Sequence, residues 1–142
     1  MTVAVLDTNV LVRLALDDDP QQSDAAYDVL NSAAAAIIPT LSFCEFVWVL
    51  RSVKTRDGGK KYTKKMIADS IRNFVGFDHV VVADDEVEAG LKMLDSGGDF
   101  ADGVIEYTGR SLARNAATTF FSFDKDAVNR LARQGSSAIL LH

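Results

Sequence analysis

The sequence has very few of the residues that most often act as nucleophiles or bind transition metals. Its 142 residues include one cysteine, Cys44, and two histidines, His79 and His142. A single cysteine forms no intrachain disulfide and builds no thiolate zinc site by itself. Because Cys44 stands between Phe43 and Phe46 in an apolar segment, we expect an inert, buried thiol in a protein of the reducing cytoplasm.

Several sequence patterns that define other classes of protein are also missing. No apolar run is long enough to span a membrane, and residues 1–16 lack a basic region and carry Asp7, which argues against a signal peptide and against membrane association. The chain has no Gly-rich phosphate-binding loop, no G-x-S-x-G and no H-E-x-x-H. Dinucleotide-binding, serine-hydrolase and zinc-protease chemistry are therefore disfavoured.

The composition is that of a globular protein. Hydrophobic residues make up 48% and charged residues 25%, and the length suits a single domain covering 1–142. Short β-branched apolar runs alternate with longer helical patterns, which predicts an α/β sandwich of three layers around a mostly parallel sheet. The predicted strands are 2–6, 36–38, 79–83, 118–123 and 138–141. The predicted helices are 8–16, 22–34, 40–53, 63–74, 84–94, 99–114 and 125–133.

Aspartates stand at the carboxyl ends of two predicted strands. Asp7 follows the first strand and Asp124 follows the fourth, at the edge where parallel sheets place their ligands. Asp99 and Asp102 are three residues apart and share one face of a predicted helix. Each of these residues has an alternative role, since Asp is a preferred N-cap and Asp102 could be the reciprocal partner of Asp99.

Two acids lie in apolar surroundings. Asp102 is flanked by Phe100 and Val104, where a carboxylate is costly unless it is paired or bound to a metal. Glu45 lies in a helix that Thr40 is expected to cap. A capping box of Ser42 with Glu45 is the alternative. The apolar positions of this helix are predicted to face the core: Leu41, Cys44, Val47, Trp48 and Leu50.

Clustered carboxylates repel one another, and a hard cation such as Mg²⁺ relieves that repulsion. Such a site can promote phosphodiester hydrolysis without histidine or cysteine. The formal net charge is −5, yet residues 51–65 hold seven bases and one acid, a net +6. Phosphate contacts come from such basic patches, and a solvated flexible loop is the alternative, only slightly less favoured. The candidate contacts for a nucleic-acid backbone are Arg51, Lys54, Arg56, Lys60, Lys61, Lys64 and Lys65.

The motifs together resemble the PIN-domain family, most closely the VapC-type toxins of bacterial toxin–antitoxin pairs. The resemblance rests on V-L-D-T-N at the N-terminus, Glu45 in its apolar helix, D-F-A-D-G-V-I from Asp99, and S-F-D-K-D from Ser122. It implies that Asp7, Glu45, Asp102 and Asp124 are the catalytic acids that bind Mg²⁺ or Mn²⁺, with Asp99 as an additional ligand. Asn9 and Ser122 match supporting polar positions, Ser122 in place of the more usual Thr. Gly103 stands where Ala is commoner.

The resemblance implies a metal-dependent endoribonuclease, a cognate antitoxin that inserts into the active-site groove, and a homodimer. A structure-specific DNA or flap nuclease with the same metal chemistry is an alternative. A catalytically silent domain that binds RNA or a protein is another. A signalling receiver domain requires a pair of acids after the first strand. Asp7 stands there alone, so a receiver domain is disfavoured.

Overall fold

The computed structural model describes residues 2–142, and the chain divides between Ala83 and Asp84 into two compact units. In the first unit the elements are β1 (Val3–Val5), α1 (Thr8–Leu16), α2 (Pro20–Ser32), β2 (Ala35–Ile37), α3 (Thr40–Ser52), α4 (Lys64–Val75) and β3 (Val80–Val81). In the second they are α5 (Asp84–Asp95), α6 (Phe100–Leu112), β4 (Phe120–Ser122), α7 (Lys125–Arg133) and β5 (Ala138–Leu140).

The first unit is built on a parallel sheet in the order β1-β2-β3, with Val5 opposite Ile37 and Ile37 opposite Val81. Two of its helices begin after residues that are preferred N-caps. Asp19 caps α2, where Pro20 occupies the first position, and Thr63 caps α4. The apolar side chains that fill its core are Leu6, Leu11, Ile38, Phe43, Phe46, Leu50, Ile67 and Ile71.

The second unit pairs β4 with β5 in parallel and packs α5 closely on α6. Glycines make this close approach possible. A methyl group on Gly90 would lie 2.5 Å from the Phe100 ring, and one on Gly103 would collide with the Ala89 carbonyl and Met93. The short distance between these helices therefore depends on the absence of side chains at both positions.

The alternating elements and the parallel pairing of every named strand confirm the predicted α/β class. Most predicted bounds lie within two residues of those found. Among residues 2–142, no helix combines the length and apolar character needed to cross a lipid bilayer.

Three expectations for α3 are wrong. Leu41 and Trp48, predicted to face the core, are 68% and 73% exposed. Cys44 is half-buried rather than fully buried. Thr40 is not the N-cap: Pro39 holds that position without a side-chain hydrogen bond, and the buried Thr40 hydroxyl has no hydrogen-bond partner among the described residues. The helix begins one residue earlier than the capping pattern indicated, so Thr40 is carried into its first turn.

Candidate metal-binding residues

Asp7 stands at the carboxyl end of β1 and begins α1. The strand continues into Leu6, which is fully buried and whose N–H donates to the Ile37 carbonyl at 2.9 Å. Asp7 itself is exposed, and its Oδ1 accepts a hydrogen bond from the Val10 N–H at 3.2 Å. The apolar residue before it is thus held in the core while the carboxylate is directed outward.

Glu45 is brought to the same end of β1 by two side-chain hydrogen bonds. The Thr8 hydroxyl, next in sequence to Asp7, donates to Glu45 Oε2 at 2.7 Å. The buried Ser42 hydroxyl donates to the Leu6 carbonyl at 3.0 Å, which fixes the first turn of α3 to the strand end. Glu45 is exposed, so its partner is this hydroxyl rather than a group in the core.

Sequence reasoning missed the roles of Thr8 and Ser42. Ser42 drew attention only as half of a capping box with Glu45, and its hydroxyl instead bonds across to β1. The adjacency of Thr8 to Asp7 was a signal, but only the folded chain shows that the Thr8 hydroxyl reaches a residue 37 positions later.

In the second unit, Asp99 is the N-cap of α6 and Asp124 is the N-cap of α7. Asp99 Oδ1 accepts from the Ala101 N–H at 3.2 Å. Asp124 Oδ1 accepts from Asp126 and Ala127 at 2.9 and 3.3 Å. The Asp124 N–H in turn donates to the Ser122 hydroxyl at 2.9 Å, so Ser122 orients this aspartate through its backbone.

The alternatives of cap and ligand are compatible in this geometry. Each capping hydrogen bond of Asp7, Asp99 and Asp124 uses the oxygen Oδ1. An N-cap fixes the rotamer of the carboxylate. The same contact therefore orients the second oxygen, Oδ2, without engaging it.

Asp102 is the most perturbed acid of the second unit. It lies half-buried in the first turn of α6. Loss of solvation by burial, followed by the negative charges of Asp99, Asp124 and Asp126, raises the pKa of Asp102 to about 6. Three other carboxylates therefore lie close enough to Asp102 to disfavour its charged form. Asp126, the last residue of the S-F-D-K-D motif, also belongs to this acidic group.

The comparison with protein families decides how these acids are interpreted. The model of the PIN domain matches residues 4–134. The chain belongs to the PIN-domain family. PIN domains are in general metal-dependent nucleases, and the match includes every predicted acid of this chain. A comparison with curated proteins gives no match.

The donor chemistry of this PIN domain suits a hard divalent cation. The part of the chain that the structure describes contains no group of three or more His, Cys, Asp or Glu side chains that could hold a metal ion. The causes that raise the pKa of Asp102 are burial and the negative charges of three neighbouring aspartates. Carboxylate oxygens are the ligands that Mg²⁺ and Mn²⁺ prefer, and a bound cation would offset the repulsion between the carboxylates. That Asp99, Asp102 and Asp124 are the ligands in this unit stays a prediction.

The other predicted positions fall in the first unit. Asn9 is exposed in the first turn of α1, two residues after Asp7. The basic residues lie at the end of α3, at the start of α4, and in the loop between them, residues 53–63.

This loop is folded rather than loose. Lys54 and Lys60 form an antiparallel bridge, and Gly58 takes a left-handed conformation at the turn. The Thr55 hydroxyl and the Gly59 N–H donate to Asp57, which lowers the pKa of this carboxyl. The only acid of the window is thereby used to close the turn.

Three of the seven basic side chains serve the structure. Arg51 Nη1 donates to the Tyr62 carbonyl at 2.9 Å, and Lys60 Nζ donates to the Arg51 carbonyl at 2.8 Å. Lys65 pairs with Asp69 at 2.8 Å. Lys64 is half-buried. Lys54, Arg56 and Lys61 are exposed on the loop, and Lys61 Nζ lies 5.6 Å from the centre of the Tyr62 ring.

Proposed function

We propose that this PIN domain is a Mg²⁺- or Mn²⁺-dependent endoribonuclease that acts as the toxin of a type II toxin–antitoxin pair. The observation that carries the proposal is the half-buried Asp102, which has three aspartates around it and a raised pKa. An acid group of this kind is unfavourable for the fold alone and is relieved by a cation.

The acids have distinct proposed roles. Asp7 and Asp102 are the main metal ligands, and Asp99 and Asp124 complete the set with the oxygens their caps leave unused. When bound, the metal would neutralise charge on the phosphate and lower the pKa of a bound water. That the acids of both units serve one centre stays a prediction.

Glu45 is proposed to position the attacking water. Its Oε2 is held by the Thr8 hydroxyl at 2.7 Å, so the carboxylate has a defined direction although it is exposed. The other oxygen, Oε1, would accept a hydrogen bond from the water and so orient the water oxygen for attack. The Glu45 carboxylate would then take up the proton that the water loses.

RNA as the substrate is supported by the charge of the loop. Residues 51–65 carry a net +6 in a chain of net −5. A single-stranded polyanion is attracted to such a cluster of Lys and Arg side chains even when the whole protein is acidic. The antitoxin partner, the homodimer and the cytoplasmic location are proposals that rest on the resemblance to VapC-type toxins.

The replacement Asp7→Asn tests the proposal. Because Asn caps a helix as well as Asp does, α1 and the melting temperature should be preserved while RNA cleavage is lost. Asp19→Asn is a matched control, since Asp19 caps α2 through a hydrogen bond of the same length, 3.2 Å, and should keep full activity. Cleavage of a labelled single-stranded RNA is measured with Mn²⁺ and with excess EDTA. Full activity of Asp7→Asn, or of the wild type in EDTA, would overturn the proposal.

A further inference from the structure

One face of α3 is exposed along its whole length. Positions 41, 45, 48 and 52 are all exposed and recur at helical spacing, while Phe43, Phe46 and Leu50 on the opposite side are buried. Trp48 is 73% exposed. A ring this exposed presents its flat apolar face to the solvent, where a ligand can contact it.

Trp48 lies between two parts of the proposed active surface. It is one helical turn after Glu45, about 4.5 Å further along the axis at the usual rise of an α-helix. It is one turn before Arg51 and Ser52, where the basic loop is attached. The hydrogen bonds of Arg51 to the Tyr62 carbonyl and of Lys60 to the Arg51 carbonyl hold the loop at this end of α3.

We propose that Trp48 is a stacking platform for a nucleobase of single-stranded RNA. It is positioned between Glu45 and the exposed basic residues Lys54, Arg56 and Lys61. The inference deepens the proposed function and rests on it. An aromatic ring next to a cationic surface is the usual means of holding a single strand, because each base has a π-face and each nucleotide carries a phosphate. Trp48 is thus proposed as a positioning residue.

Charge favours RNA over a protein as the occupant. The two exposed apolar residues of this face, Leu41 and Trp48, are separated by the carboxylate of Glu45. The centre of a protein–protein interface is depleted of charged residues, and a charge in mid-patch disfavours burial by a second copy. An RNA strand needs only the single ring and the neighbouring positive charge, both of which are present.

The chain contains a single tryptophan, so its fluorescence reports on this site alone. In EDTA, where the proposed chemistry is stopped, titration with a single-stranded RNA should quench the emission strongly. An oligomer of the same length with abasic sugars keeps the phosphates and lacks the bases. It should bind without comparable quenching.

Variants separate stacking from general packing. Trp48→Ala should weaken RNA binding about tenfold, measured by anisotropy of a labelled RNA, and should raise KM for cleavage while kcat changes little. Trp48→Phe retains a ring and should restore most of the affinity. Phe77→Ala is the matched control, because Phe77 is an aromatic residue of the same unit that is 44% exposed and lies outside α3. It should leave binding unchanged.

The outcomes distinguish this inference from the proposed function. Metal-dependent cleavage without quenching, and with an unchanged KM for Trp48→Ala, would refute the stacking site and leave the nuclease proposal intact. Quenching by RNA without cleavage in the presence of any metal would refute the nuclease proposal and leave the stacking site intact. If RNA does not quench the emission and Trp48→Ala converts a dimer to a monomer in sedimentation, the face is a self-association surface and the inference is wrong.

Discussion

Three aspartates of this chain cap helices through one carboxylate oxygen and leave the other oxygen out of the cap. Asp7, Asp99 and Asp124 cap helices through one oxygen, which sequence reasoning treated as an alternative to metal binding. The caps stabilise helix starts, and they also hold the carboxylates in fixed directions. Asp102 differs because it lies within the helix, half-buried and beside three other acids. It is the residue at which stability and proposed function should conflict.

We expect Asp102→Asn to stabilise the metal-free protein at pH 7.5, with no gain at pH 3.5. The pKa of Asp102 is raised in the folded state from 3.8 to about 6, so its contribution to stability is fully present below pH 3.8 and is lost as the pH rises through 6. A fully buried group with this shift would give about 3 kcal/mol; half-exposure reduces the expected gain to about 1 kcal/mol. Urea unfolding in EDTA measures it.

The control for this experiment is Asp84→Asn in the same unit. Asp84 begins α5, where an acid in the first turn is favourable to the helix dipole, so its loss should lower the stability at pH 7.5 by about 0.5 kcal/mol. If Asp102→Asn is also destabilising at pH 7.5 in EDTA, the repulsion among these aspartates is not a net cost to the fold.

Elements were predictable where the pattern is local. Helix 8–16 and helix 125–133 have the predicted bounds, because Asp7 and Asp124 mark their starts and the apolar period continues without a break. The exposed face of α3 was not predictable. Leu41 and Trp48 continue the apolar pattern, and periodicity alone assigns an apolar residue to the core. Functional surfaces are where such local rules are expected to fail.

We expect Gly103→Ala to destabilise the second unit. Alanine is the better helix former by about 1 kcal/mol, yet its methyl group would lie 2.8 Å from Met93 Cβ and would collide with the Ala89 carbonyl. Pushing α5 and α6 apart should cost about 1–3 kcal/mol, so the net effect is a loss. Because Gly103 adjoins Asp102, metal-dependent activity should fall as well.

Gly109→Ala provides the matched control in the same helix. A methyl group on Gly109 meets no atom within 4 Å, so the propensity gain of up to about 1 kcal/mol should appear as increased stability. Chemical denaturation of the two variants side by side gives opposite signs on this account. Equal stabilisation by both replacements would show that α5 and α6 can separate at no cost.

The arrangement of the whole chain was only partly predictable. Alternation of strands and helices indicated parallel pairing, which is found in β1-β2-β3 and in β4-β5. The sequence predicted one domain, and that stays a prediction; the division at Ala83 into two compact units had no signal in composition. Compactness depends on contacts between distant residues, which no local pattern records. The hydroxyls of Thr8 and Ser42 escaped prediction for the same reason.

At the scale of the molecule, net charge and charge distribution point in opposite directions. The chain is −5 overall, and outside residues 51–65 it is −11. Replacing Lys54, Arg56 and Lys61 with Gln should therefore remove most of the salt-dependent affinity for RNA. With about 0.7 counterions released per phosphate contact on a single strand, the slope of log K against log salt should change from about −2 to near zero.

The matched control replaces three exposed bases of the second unit, Lys92, Arg114 and Arg133, with Gln. It lowers the net charge by the same three units. If local charge governs binding, the control keeps its slope near −2 while the loop variant loses it. Equal losses in both variants would mean that RNA responds to the overall charge, and the loop would then have no special part in substrate binding. Anisotropy of a labelled single-stranded RNA in EDTA, over a range of KCl concentrations, measures both slopes. The chain is strongly acidic outside the loop, so long-range attraction from the rest of the molecule is unavailable to compensate.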